Sequence, residues 1–88
     1  MVIDFYASWC APCRQLAENI AKLTEEFQGR LQFARVDIDA SPELAERFDI
    51  ETVPTLLALT QGWEVTRLSG KISAQELRLL LTSLTNKN

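Results

Sequence analysis

Two spacings of apolar residues alternate along this chain, and they divide it into seven elements. Residues 2–7 are rich in apolar and aromatic side chains (Val2, Ile3, Phe5, Tyr6) and read as a buried strand. Residues 11–28 change rhythm: Leu16, Ile20, Leu23 and Phe27 follow one another at spacings of four, three and four, which is a helical stripe. Gly29 ends that helix. Residues 31–38, with Phe33, Val36 and Ile38, form the next strand. Ser41-Pro42 opens a short helix, with Ser41 as the cap, Pro42 in the first turn, and Leu44 and Phe48 on the inner face. Residues 55–59 and 63–68 are strands joined by a tight turn at Gln61-Gly62. Ser73-Ala74-Gln75-Glu76 has the form of a capping box and starts a last helix whose apolar face is Leu77, Leu80, Leu81 and Leu84. The order is β-α-β-α-β-β-α, an α/β fold. Strands 2–7 and 31–38, linked through a helix, should be parallel, and the final hairpin makes the sheet mixed and four-stranded.

At 88 residues the chain is one domain, 1–88, with 47% apolar residues, enough for a core and too many for disorder. A domain of this size is expected to have a thin stability margin. The net charge of −3 and the scattered Lys and Arg residues offer nothing to nucleic acid or to an anionic membrane. No apolar run approaches a membrane span, and Met1-Val2-Ile3-Asp4 lacks the form of a signal peptide, so a cytoplasmic location is expected.

The absence of histidine removes Ser-His and Cys-His catalysis. Two cysteines alone make a poor zinc site, because a structural site normally takes four protein ligands. No metal or bound cofactor is expected. A disulfide between Cys10 and Cys13 closes a loop too small to stabilise much by chain entropy, so reactivity explains the pair better than structure does. The pair sits where the first strand hands over to the first long helix. There, residues three apart share a face about 5–6 Å apart at Cβ. The free N–H groups and positive dipole end favour thiolate at Cys10, below the ~8.5 of a free thiol. Pro12 fits a first turn, where its missing N–H would be unpaired anyway.

These segments together resemble the thioredoxin family over residues 2 to about 85. Val2 to Cys13 looks like the family's active-site strand and loop, with Trp9-Cys10-Ala11-Pro12-Cys13 at its end. Ala34 to Asp39 resembles its central strand end, Val53-Pro54-Thr55 its cis-proline loop, and Gly70 the glycine before its last helix. The resemblance implies a thioredoxin-like three-layer fold and a protein-disulfide reductase. Cys10 is then the exposed nucleophile, Cys13 the shielded resolver, and the Cys10–Cys13 disulfide the sole redox group. Asp4, on its own terms either an exposed strand position or a costly buried carboxylate, becomes a buried proton acceptor for Cys13. Arg35 stands where the family usually has Lys, and can act only as a fixed charge. Trp9, Ala11, Pro12, Thr52, Val53, Pro54 and Gly70 become the substrate-binding residues, and Thr55 also lines the groove. Pro54 is expected to be cis. Trp9 is otherwise readable as a core residue.

Some positions depart from the family pattern. Ala11 replaces a common Gly, leaving the redox potential open, and Glu18 replaces a helix-kinking proline. The chain starts at what would be the family's second strand, so the domain is expected to be N-terminally shortened. Residues 31–38 then become a sheet edge, and the domain is less stable and self-associates. The partners implied are protein disulfides and an electron donor of the thioredoxin-reductase kind. Two other functions remain open: an oxidase or isomerase using the same chemistry, and a thioredoxin-fold binding or adaptor domain of a larger protein.

Overall fold

The computed structural model describes residues 1–27 and 29–85. Its elements run β1 (Val2–Tyr6), α1 (Ala11–Thr24), β2 (Phe33–Asp37), α2 (Pro42–Arg47), β3 (Thr55–Thr60), β4 (Trp63–Ser69) and α3 (Ala74–Thr85), the order read from the sequence. They build one four-stranded sheet in the order β2-β1-β3-β4. β1 and β2 are parallel, with Val2 opposite Phe33 and Tyr6 opposite Asp37. β3 runs antiparallel to both β1 and β4. β2 is therefore an edge strand, as expected.

Two apolar clusters occupy the two faces of the sheet. On one face, Val2, Leu56 and Ala58 meet Leu16, Ile20 and Leu23 of α1 and Leu77, Leu80 and Leu81 of α3. On the other, Ile3, Phe5 and Leu57 meet Phe48 and Ile50, just beyond α2. The Phe5 and Phe48 rings sit 5.7 Å apart at a tilt of 52°, within the centroid separation at which aromatic pairs interact. The alternation of β1 side chains between these clusters is the period-two rule for strands applied to a strand covered on both sides.

Local chemistry explains the element ends. At α3 the capping box forms as read: the Glu76 N–H donates to Ser73 Oγ at 3.1 Å, and the Ser73 N–H donates to Glu76 Oε1 at 3.0 Å. The β3–β4 turn places Gln61 at φ 52° and Gly62 at φ 84°, the pair of left-handed residues that a two-residue hairpin loop requires. Three expectations need correction. α1 ends at Thr24, not at 28, and the chain continues in turns. The Phe27 N–H divides between the Leu23 and Thr24 carbonyls, and this keeps Phe27 buried without further helix; residue 28 lies outside the described residues. Ser41 precedes α2 but makes no side-chain capping bond. Leu44 is exposed, because this six-residue helix attaches to the sheet through Phe48 and Ile50 rather than through its own face.

The two leucines Leu77 and Leu79 of α3 give a direct test of this packing, since the first is fully buried and the second is 63% exposed. Leu77→Ala is expected to lower the stability by about 2–5 kcal/mol, whereas Leu79→Ala changes it by less than about 0.5 kcal/mol, as read by urea denaturation.

Candidate active site around Cys10 and Cys13

β1 ends at Tyr6, and four residues later the chain enters α1 with Cys10 as its N-cap. The Cys13 N–H donates to Cys10 Sγ at 3.2 Å, so a sulfur does the work that a Ser or Asp oxygen does at most helix starts. The two cysteines form a disulfide, with their Cα atoms 5.3 Å apart, inside the range such a bond needs. Once the disulfide is reduced, the same N–H and the α1 dipole stabilise negative charge on the Cys10 sulfur.

The pair is less open than the sequence suggests. Cys13 is shielded as expected, at 1% exposure, but Cys10 is only 5% exposed and is not a freely projecting nucleophile. Both lie in a small cluster with Ala7, against Tyr6, Ile38 and Val53. The Cys10 sulfur lies 3.8 Å from the Val53 carbonyl oxygen. The Val53–Pro54 peptide is cis, as expected, and Pro54 is buried. Gly70 is drawn to the same place: its N–H donates to the Pro54 carbonyl at 3.0 Å. Its φ of +80° is what requires glycine there, since a Cβ would meet nothing within 4 Å. Ala11, Pro12 and Thr52 are exposed around the pair, and Val53 is half-buried. Thr55 is buried, and its hydroxyl donates to the Thr52 carbonyl at 2.5 Å.

Trp9 is 66% exposed and is not a core residue. Its indole N–H donates to Asp39 Oδ2 at 2.9 Å, tying the cysteine loop to the segment after β2. Asp39 was not singled out by the sequence reading, and no local pattern marks it, because its partner lies thirty positions away.

Asp4 settles on the buried side of its two readings, at 0% exposure on the sheet face that carries α1 and α3. Arg35, directly opposite on β2, donates from Nε to Asp4 Oδ2 at 3.2 Å and stacks its guanidinium 3.9 Å from the Tyr6 ring centre. Oδ1 has no partner. Burial pushes the Asp4 carboxyl above its ordinary value of 3.8, and the Arg35 hydrogen bond and charge oppose that only in part. No group of side chains suited to holding a metal ion occurs among the described residues.

A family model described as Thioredoxin matches residues 1–83. The chain belongs to the thioredoxin family. Thioredoxin 1 of Chlorobaculum tepidum is 38% identical to it over 76 residues, covering 86% of this chain and 75% of that protein. A bifunctional thioredoxin reductase/thioredoxin of Mycobacterium leprae is 34% identical over 89 aligned residues, covering 100% of this chain and 19% of that protein. Among solved structures, a mutant thioredoxin from Halobacterium salinarum superposes with a TM-score of 0.88 at 32% identity, covering 99% of this chain and 75% of that one. The sheet order and element order are those of the thioredoxin fold, and family membership together with the Cys10–Cys13 disulfide supports thiol–disulfide oxidoreductase chemistry. No helix among the described residues is long and apolar enough to cross a membrane.

The orphaned Asp4 carboxylate leads to a stability prediction. Because its value in the folded protein is raised, the folded state binds this proton more tightly than the unfolded chain does. The associated stability is therefore fully present below 3.8 and is lost as pH rises through the folded value. Asp4→Asn, which carries no charge for burial to disfavour, is expected to be more stable than the parent at pH 7. That gain shrinks as pH approaches 3.8, as read by thermal unfolding across pH.

Proposed function

We propose that this member of the thioredoxin family is a protein-disulfide reductase, and the observation that carries the reading is the Cys10 sulfur capping α1 with the Cys13 N–H upon it. In the reduced protein the Cys10 thiolate attacks one sulfur of a substrate disulfide. A Cys10–substrate S–S bond forms, the substrate S–S bond breaks, and the first substrate thiolate leaves. Asp4 accepts the Cys13 proton. The Cys13 thiolate then attacks Cys10 Sγ, forming the Cys10–Cys13 disulfide and expelling the second substrate thiolate. Two electrons have passed from protein to substrate, and the proton held at Asp4 returns to solvent or to the departing sulfur. No bound cofactor enters, since the dithiol itself carries the electrons.

Thr52, Val53 and Pro54 present backbone beside the sulfur, and an extended substrate segment pairs with them in the manner of an added strand. Trp9, Ala11, Pro12 and Gly70 border that contact. A second dithiol must then return the protein to its reduced state. A donor of the thioredoxin-reductase kind is the one this reading favours, supported by the Mycobacterium leprae relative whose name joins thioredoxin reductase and thioredoxin in one protein. A disulfide that does chemistry rather than stapling a long loop is the use that cytosolic proteins make of such bonds, which favours a cytoplasmic location.

The insulin-disulfide assay with dithiothreitol tests the reading. Cys10→Ser is expected to abolish catalysis, and Cys13→Ser to accumulate a Cys10–insulin mixed disulfide visible on a non-reducing gel. An unchanged rate in Cys10→Ser would sink the mechanism. Asp4→Asn is expected to slow resolution of the mixed disulfide by about tenfold or more while leaving its formation intact, the range of a lost proton acceptor. Equilibration of the Cys10–Cys13 couple with glutathione separates reductase from oxidase: a potential more negative than about −220 mV is expected, and one well above that value would indicate an oxidase.

A further inference from the structure

A groove of about 620 Å³ opens beside the disulfide, between the first turns of α1 and the segment that leads into α3. One wall begins with Ala11 and Pro12, the two residues between the cysteines, and continues one turn on with Gln15. The opposite wall is Lys71, Ile72 and Ala74. Ala11, Pro12 and Ala74 are exposed, and Ile72 is buried at the base, so the surface is mainly apolar. Lys71 is the single charged side chain lining it, and Lys71 makes no ion pair among the described residues. The nearest carboxylate on α3, that of Glu76, is engaged at the helix cap by the Ser73 N–H.

We propose that this groove is a selectivity subsite that takes the residues flanking the attacked cysteine of a protein disulfide, and that it prefers an apolar side chain followed by a carboxylate. The inference rests on the reductase reading. Neither cysteine lines the groove, but Ala11 and Pro12, the residues between them, form its wall, so a polypeptide joined to Cys10 Sγ has the groove on the far side of that two-residue link. At about 3.3–3.6 Å per extended residue, positions two to four from the substrate cysteine reach Lys71 and Ile72. The volume falls in the range of ordinary ligand clefts, about 300–1,000 Å³. The charge argument is specific to this place. The whole chain carries −3, so its overall field disfavours acidic substrates, and Lys71 reverses that sign only where it meets the groove.

Prereduced protein is mixed in single turnover with two disulfide-linked peptides that are identical except for one position. Each carries Leu two residues after the cysteine, followed by Glu in one peptide and Lys in the other. A neutral small disulfide, 2-hydroxyethyl disulfide, serves as reference. The expected result is a reaction about three- to fivefold faster with the Glu peptide at low salt, the size of an exposed ion pair. The difference is expected to fade at about 0.5 M salt. Lys71→Glu is expected to invert the order and to leave the rate with the neutral disulfide unchanged. Equal rates for the two peptides, or a preference that survives Lys71→Glu, would overturn the subsite while the neutral disulfide still reports a working dithiol. Failure of the neutral disulfide to oxidise either protein would refute the reductase reading itself, and the subsite with it.

Discussion

β1 lies between β2 and β3 and is closed off on both faces, and most of the molecule depends on that enclosure. Val2 and Asp4 point into the layer of α1 and α3, while Ile3 and Phe5 point towards Phe48 and Ile50. A strand enclosed in this way has one direction and one register, so the point where it stops is fixed to within a residue. The chain leaves it at Tyr6 and must begin α1 a few residues later, with the helix axis already set by Leu16, Ile20 and Leu23 against the sheet. Cys10 is the residue this geometry leaves at the N-cap. The helix therefore has a reactive sulfur at its start, and the stability of the sheet and the chemistry of the loop draw on the same packing.

That arrangement makes Cys10 both a structural cap and a reacting atom. A capping oxygen loses little by being buried, but a nucleophile has to be reached. The compromise is visible in the small exposure of Cys10, covered on one side by Tyr6, Ile38 and Val53 and open only where the loop turns. The cis Val53–Pro54 peptide and the Gly70 N–H complete the rim from two other segments.

Asp4 is the cost of the same design. An apolar residue at its place would pack without penalty, yet a carboxylate stands there with one oxygen on Arg35 and the other unsatisfied. The Arg35 guanidinium lies 3.9 Å from the Tyr6 ring centre, with its Nε on Asp4 Oδ2. Burial raises the Asp4 carboxyl above its ordinary value even with Arg35 beside it. A local loss of stability of this kind is tolerable only because the surrounding core determines the fold without it.

Much of the fold was legible in the chain itself. The leucine stripes of α1 and α3, the Ser73–Glu76 capping box, the Gln61-Gly62 turn and the cysteine spacing are each read within a few residues, because helix period, cap chemistry and left-handed turns are local physics. The errors were local conflicts: Phe27 continues the stripe of α1 but is buried from a turn, and Leu44 fits the inner face of a helix too short to present one. Of the site, the residues themselves showed only the cysteine pair; the cis Pro54 and the buried Asp4 were expected only through the family resemblance. Whether Asp4 is buried could not be read from β1, since a strand covered on both faces loses the alternation that would mark one side. Its pairing with Arg35, the bond from Trp9 to Asp39, the Val53 carbonyl at the Cys10 sulfur and Lys71 across the groove join positions between thirty and sixty apart along the chain. The sequence determined the reactive pair and the helix it caps. The tertiary structure alone decided what surrounds that pair, because a segment's pattern records how it is buried and not which distant segment does the burying.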